Sequence, residues 1–141
     1  MSVFLDTNVL FYAASRGLES RDQHKRSIAR ELIGEGKFSY SGQVLAEFYA
    51  NVTRKGPAPF SHDEAVEYIE LLRVRPCIAV DTDVVVHGAT LANRYRISYW
   101  DGAIIAAAHI AGAKTLYSED LNDGQTYGDI SVVNPFKSIP H

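Results

Sequence analysis

Cysteine is almost missing from this sequence of 141 residues: there is one, Cys77. That excludes an internal disulfide and any multi-cysteine zinc site, and a lone thiol fits a reducing cytosol. Long apolar runs are missing too. The longest, residues 103–113, is interrupted by His109 and falls well short of the roughly 20 residues of a membrane span. The first residues hold an acid, Asp6, and no basic segment, which is not the pattern of a signal peptide. A cytoplasmic protein with no membrane contact is the expectation. Repeats, low-complexity tracts and linkers are absent. Positive charge is not in excess either: 14 Lys and Arg stand against 17 Asp and Glu, a net charge of −3, whereas a nucleic-acid binder is ordinarily basic.

What is present is ordinary globular composition, 46% hydrophobic and 22% charged, in a length that suits a single domain over residues 1–141. Such a chain buries roughly two thirds of its unfolded surface and needs no staple to fold. Short β-rich segments alternate with longer segments of helical period. Strands are expected at residues 2–5, 37–41, 77–80, 114–118 and 130–133, and helices at 9–14, 20–35, 43–54, 61–73, 83–95 and 99–112. Ser20 with Gln23, and Ser61 with Glu64, have the spacing of capping boxes, and Gly56-Pro57-Ala58-Pro59 is a breaker. The alternation implies an α/β fold, a central parallel sheet of four to five strands covered on both faces, whose working site lies at the carboxyl ends of the strands.

Four acids stand in apolar or strand-end contexts: Asp6 in Leu5-Asp6-Thr7-Asn8, Glu47 in Val44-Leu45-Ala46-Glu47-Phe48, Asp101 in Trp100-Asp101-Gly102, and Asp120 in Ser118-Glu119-Asp120. Singly, each has a structural explanation. Asp6 could cap a helix, Asp101 could close a capping box with Ser98, Glu47 could face solvent and Asp120 could belong to a turn. Together they read differently, because Asp6 and Asp120 follow strands expected to be neighbours and Asp101 opens the helix leading into the second of them. Two like charges 4 Å apart repel by about 4 kcal/mol at an effective dielectric of about 20, so such a cluster either protonates or binds a cation. All-oxygen donors suit Mg²⁺ or Mn²⁺ better than zinc or copper. Hydrolysis of a phosphodiester is the chemistry that uses such a cluster.

The segments Phe4-Leu5-Asp6-Thr7-Asn8-Val9-Leu10, Val44-Leu45-Ala46-Glu47-Phe48, Ile97-Ser98-Tyr99-Trp100-Asp101-Gly102-Ala103 and Leu116-Tyr117-Ser118-Glu119-Asp120-Leu121-Asn122-Asp123-Gly124 occur in this order. With them the sequence resembles the PIN-domain ribonucleases, and most closely the VapC-type toxins of toxin–antitoxin pairs, over its whole length. The resemblance implies a PIN-like three-layer α/β/α domain. It implies metal ligation by Asp6, Glu47, Asp101 and Asp120, with polar support from Thr7, Asn8 and Ser118. It also implies an RNA substrate, a 5′-phosphate product, a homodimer and a small cognate antitoxin. On this reading one or two Mg²⁺ ions are held by Asp6, Asp101 and Asp120, and Glu47 completes a second position or orients the attacking water. Asp123 is expected to be a turn residue, and the family pattern favours Asp120 over its neighbour Glu119.

Substrate contacts are less sharply marked. Arg16, Arg21 and Arg54 follow segments that begin at the expected catalytic edge and are candidate phosphate contacts. Trp100 is a candidate for stacking on an RNA base. Arg30 is expected on a solvated face, His109 in the core or an interface, and Cys77 in the core. The rival functions are a PIN-like domain that binds RNA or protein without cutting, and a phospho-acceptor signalling domain. The second would need a further acid beside Asp6, where Thr7 and Asn8 stand, and a lysine after a late strand, whereas Lys114 precedes its strand. The mild acidity no longer argues against nucleic acid: four acids belong to one candidate site, and two Mg²⁺ ions there would bring −3 to +1.

Overall fold

The computed structural model describes residues 3–18 and 20–137, with every side chain among them except those of Ser20 and Arg21. The chain runs β1 (Val3–Leu5), α1 (Thr7–Ala14), α2 (Ser20–Gly34), β2 (Phe38–Ser41), α3 (Gly42–Val52), α4 (His62–Leu72), β3 (Cys77–Ile78), α5 (Thr82–Tyr95), α6 (Tyr99–Ile110), β4 (Thr115–Tyr117), β5 (Thr126–Tyr127) and β6 (Ile130–Val133). Side-chain caps define most helix starts. The Ser41, Asp81 and Ser98 side chains accept from the backbone N–H of Val44, Val84 and Asp101. Ser61 and Glu64 form the full reciprocal capping box expected at that spacing. The Ser20–Gln23 box rests on a side chain outside the described residues.

One sheet has the strand order β3-β2-β1-β4-β6-β5. All pairings are parallel except β5 with β6. The five expected strands are all present and pair in parallel, and a sixth, unexpected one makes the sheet mostly parallel among the described residues. The added strand, β5, is two residues long and returns antiparallel onto β6 with Tyr127 paired to Ile130. It is too short to carry a period. The chain builds outward from β1 through β2 to β3, then crosses to the other side of β1 to lay down β4. The order therefore reverses between β1 and β4, and a crevice opens beyond the carboxyl ends of those two strands. Leu5 pairs with Tyr117 as the last rung, and the Asp6 N–H donates to the Tyr117 carbonyl at 3.0 Å.

Phe4, Leu5, Tyr40 and Leu116 of the strands are buried against Val9, Leu10, Val44, Phe48, Ile104 and Ile105 of the helices. α6 is buried continuously from Gly102 to Ala108. It crosses α5 at a point where Gly88 and Gly102 leave no room for side chains: a Cβ on Gly88 would lie 2.8 Å from the Ala103 Cα, and one on Gly102 would run into the Gly88 carbonyl oxygen. That crossing fixes the depth at which the start of α6 meets the crevice.

One expected core residue lies at the surface, and His109, expected in the core or an interface, is not in the core. Cys77 is exposed, because β3 is a two-residue edge strand paired on one side only. His109 is also exposed, with Nδ1 3.2 Å from an Asp129 carboxylate oxygen and its ring edge-on to His87. Among the described residues no helix is long and apolar enough to cross a membrane.

Candidate active site

The crevice at the strand switch holds a pocket of about 420 Å³, and all four singled-out acids line it: Asp6, Glu47, Asp101 and Asp120. Each arrives from a different element. Asp6 ends β1 and caps α1, with one carboxylate oxygen accepting from the Thr7 N–H at 2.7 Å. The other oxygen accepts from the buried Ser118 hydroxyl at 2.7 Å, from just beyond β4. Asp6 thus fills both roles open to it, helix cap and pocket carboxylate. Glu47 projects from α3, its oxygens accepting from the Thr7 hydroxyl at 2.6 Å and the Gln43 amide at 3.3 Å. Asp101 lies in the first turn of α6. Its backbone N–H donates to the Ser98 cap, while the residue itself lines the pocket. Asp120 follows β4 and accepts from the Asn8 amide at 3.1 Å.

Thr7, Asn8 and Ser118 therefore hold Glu47, Asp120 and Asp6 respectively, and the Ser118 hydroxyl also accepts from the N–H groups of Asp120 and Leu121. Glu119 points away from this network, bonded to Lys25 at 2.6 Å and to the Tyr12 hydroxyl at 2.8 Å. The acid beside Asp120 is therefore committed to joining α1 and α2. Asp123 sits in the turn after β4, accepts from the Asn134 N–H at 2.8 Å and does not line the pocket.

The electrostatics record the crowding. Burial pushes the Asp6 carboxyl up to about 6. The Ser118 hydroxyl and Thr7 N–H oppose that rise, and the charges of Asp120 and Glu47 add to it. Asp120, at the pocket mouth, is raised by partial burial and by the neighbouring charges of Asp101 and Glu119. Net negative potential in a partly dry pocket is a demand for a cation or a proton. The donor set is wholly oxygen, which fits a hard divalent ion. As they stand, no three His, Cys, Asp or Glu side chains among the described residues are arranged to hold an ion. The carboxylates ring the pocket without closing on its centre.

The proposed substrate contacts are placed unevenly. Trp100 lines the pocket and is 62% exposed. Arg16 lies away from it, held by Glu64 at 2.7 Å and the Pro59 carbonyl at 3.1 Å and stacked over the Phe60 ring. Arg54 bonds the Ala50 carbonyl and does not line the pocket. The Arg21 side chain lies outside the described residues. Arg30, expected to be merely solvated, donates to the Ala13 carbonyl near the end of α1. Three polar residues that line the pocket were not singled out by sequence: Gln43, Asn51 and Lys55. The signal was their spacing. Gln43 and Asn51 stand four residues either side of Glu47 on one face of α3, and Lys55 follows four residues later in the turn beyond the helix.

A family model for the PIN domain matches residues 3–123, and the chain belongs to that family. No curated protein matches the sequence significantly. Solved structures do share its fold. A chain of a toxin–antitoxin complex from Klebsiella pneumoniae is 17% identical with a TM-score of 0.69, over 96% of this chain and 98% of that one. VapC20 of Mycobacterium tuberculosis, described as a sarcin–ricin-loop-cleaving toxin, is 22% identical with a TM-score of 0.66, over 84% and 90%. A chain of VapBC2 from Rickettsia felis, bound to a promoter DNA fragment, is 17% identical with a TM-score of 0.61, over 94% and 97%. At these identities the likeness carries the fold.

Proposed function

We propose that this chain is a Mg²⁺-dependent endoribonuclease, the toxin of a toxin–antitoxin pair, which hydrolyses RNA phosphodiester bonds with water as the nucleophile. The observation that carries the reading is the gathering of Asp6, Glu47, Asp101 and Asp120 around one pocket at the strand switch of a PIN domain. Asp6, Asp101 and Asp120 are the residues that would hold the ion, with Glu47 beside them; Mn²⁺ presents the same hardness. Bound there, the ion would supply an activated water and neutralise charge on the scissile phosphate.

The chain's own groups do the rest. Ser118 and Thr7 fix the two oxygens of Asp6, so its carboxylate cannot swing away as charge accumulates. Thr7 and Gln43 orient Glu47 toward the same space. Asn8 steadies Asp120 at the mouth. The Thr7 hydroxyl donates to Glu47 and the Ser118 hydroxyl to Asp6, so in this reading both serve to hold carboxylates.

The toxin assignment draws on the toxin–antitoxin structures that share the fold and implies a cytoplasmic protein with a small antitoxin over the site. The homodimer draws on the exposed apolar side chains Val85, Val86 and Ile110 of the α5–α6 pair, which is surface that association would bury. The test is incubation of the purified chain with mixed cellular RNA in Mg²⁺ or EDTA, followed by sequencing of 5′-phosphate ends. Cleavage that needs the ion and disappears in Asp6→Asn and Asp101→Asn is the expected result. Equal cleavage by either variant would remove the site assignment.

A further inference from the structure

We infer that single-stranded RNA lies along α3, with an unpaired base seated on an apolar shelf at Trp100 and a flanking phosphate held by Lys55. This rests on the ribonuclease reading above and extends it to how the site takes hold of its substrate.

A second hollow, of about 560 Å³, adjoins the carboxylate pocket and shares Gln43, Glu47 and Trp100 with it. Its remaining lining is Gly42, Ala46, Val80 and Tyr99, a mostly apolar surface. Trp100, the only tryptophan in the chain, stands 62% exposed there. The Tyr99 ring braces it edge-on at 5.0 Å between centroids. The Gln43 amide donates to the Trp100 carbonyl at 3.1 Å and to Glu47 at 3.3 Å, which ties the shelf to the carboxylates.

The chemistry of the shelf selects its occupant. It offers an aromatic face and aliphatic walls, and the charge lining it is Glu47. A phosphate would be repelled there. A neutral, flat heterocycle would bury apolar surface and stack on the indole, as bases do on aromatic platforms. A base within a duplex hides both faces, so the occupant is an unpaired one. The backbone of the same strand must then reach the carboxylate pocket and continue. Gln43, Glu47, Asn51 and Lys55 all line that pocket, the first three at intervals of four residues along one face of α3. From Gln43 to Asn51 the helix rises about 12 Å, and Lys55 stands in the turn just beyond, its N–H bonded to the Asn51 carbonyl at 2.7 Å. Lys55 is the one cation lining the carboxylate pocket among the described residues. Base shelf, Glu47 and cation thus follow one another along α3 and the turn after it, with Asp6, Asp101 and Asp120 facing Glu47 across the pocket, in the order a strand crossing the site would need.

Because Trp100 is the sole tryptophan, its fluorescence reports on the shelf directly. The probe is a short mixed-sequence single-stranded RNA with phosphorothioate linkages, titrated into the intact chain in Mg²⁺, with the matching duplex alongside. The expected result is saturable quenching by the single strand and much less by the duplex. In cleavage assays on unmodified RNA, Trp100→Ala should raise KM about 5- to 100-fold with kcat little changed, and Trp100→Phe should restore most of the loss. Lys55→Ala should lower the slope of log affinity against log salt by about 0.7. If wild type cuts RNA but shows no quenching, and Trp100→Ala leaves KM unchanged, the shelf is not a base site while the ribonuclease reading stands. If wild type neither binds nor cuts RNA in Mg²⁺, the ribonuclease reading falls and the strand path with it. If the emission changes with protein concentration alone, the shelf is covered by a second copy of the chain and the inference is overturned.

Discussion

At the scale of single residues the molecule turns on Asp6, a carboxylate that caps a helix and lines a pocket at once. Its carboxyl is raised from 3.8 to about 6, so in the metal-free protein the folded state holds this proton more tightly than the unfolded chain does. The stability this gives is fully present below pH 4 and is lost as the pH rises through 6. The shift corresponds to at most about 3 kcal/mol. Asp6→Asn, which keeps the shape and removes the charge, should therefore melt higher than wild type at pH 7 in EDTA and nearly with it at pH 4. Thermal unfolding at the two pH values checks this, and a variant less stable at both would contradict it. Arg16 makes the opposite case. Its partner Glu64, held well below the usual carboxylate range at about 2 by the guanidinium, lies 48 residues away in sequence. Arg16→Ala should lower the melting temperature and leave KM for RNA unchanged, as steady-state cleavage assays will show. The sequence alone could not tell such an arginine from a phosphate contact, because what decides its role is a neighbour brought there by the fold. The acids were more legible. A carboxylate just after a buried strand, or within an apolar helical run, stands out before any fold is known.

At the scale of elements, the α5–α6 crossing sets where Asp101 enters the pocket. Gly102 follows Asp101 directly, and its missing side chain lets α6 lie against the Gly88 carbonyl. Gly102→Ala must force the helices apart, at a cost of about 1–3 kcal/mol or more. It should reduce cleavage as well, since Asp101 moves with the first turn of α6. Urea unfolding and a cleavage assay on the same preparation test both halves of that expectation. Ser61→Ala, far from the pocket, removes one side of the α4 capping box and should cost about 1 kcal/mol without changing cleavage. The helices were readable because apolar period and caps are local signals. β5 was not, since two residues gain their strand character only by pairing with β6. Cys77 was misplaced for a related reason: whether a strand is central or at the edge is a property of the sheet order, which no local pattern carries. The α3 stripe could have been read from its four-residue spacing, but which face of α3 meets the crevice is decided by the packing of the whole domain.

At the scale of the whole molecule, the sheet order β3-β2-β1-β4-β6-β5 puts the ends of β1 and β4 side by side. Residues 112 apart in sequence, Asp6 and Ser118, are thereby brought into hydrogen-bond contact. Alternating strands and helices foretold a crevice at the strand ends, and the net charge of −3 proved to include the charge of that crevice. A fold that stores repelling carboxylates in one pocket should be stabilised by the cation that neutralises them. Mg²⁺ should therefore raise the melting temperature of wild type at pH 7 in a concentration-dependent way and raise that of Asp6→Asn less. The most direct test of the central claim is cleavage of single-stranded RNA by wild type and Asp101→Asn across a Mg²⁺ titration, with the new ends identified chemically. Saturable, Mg²⁺-dependent cleavage that leaves 5′-phosphates and is lost in the variant is the predicted result. Cleavage that persists in EDTA, or that the variant retains, would contradict it.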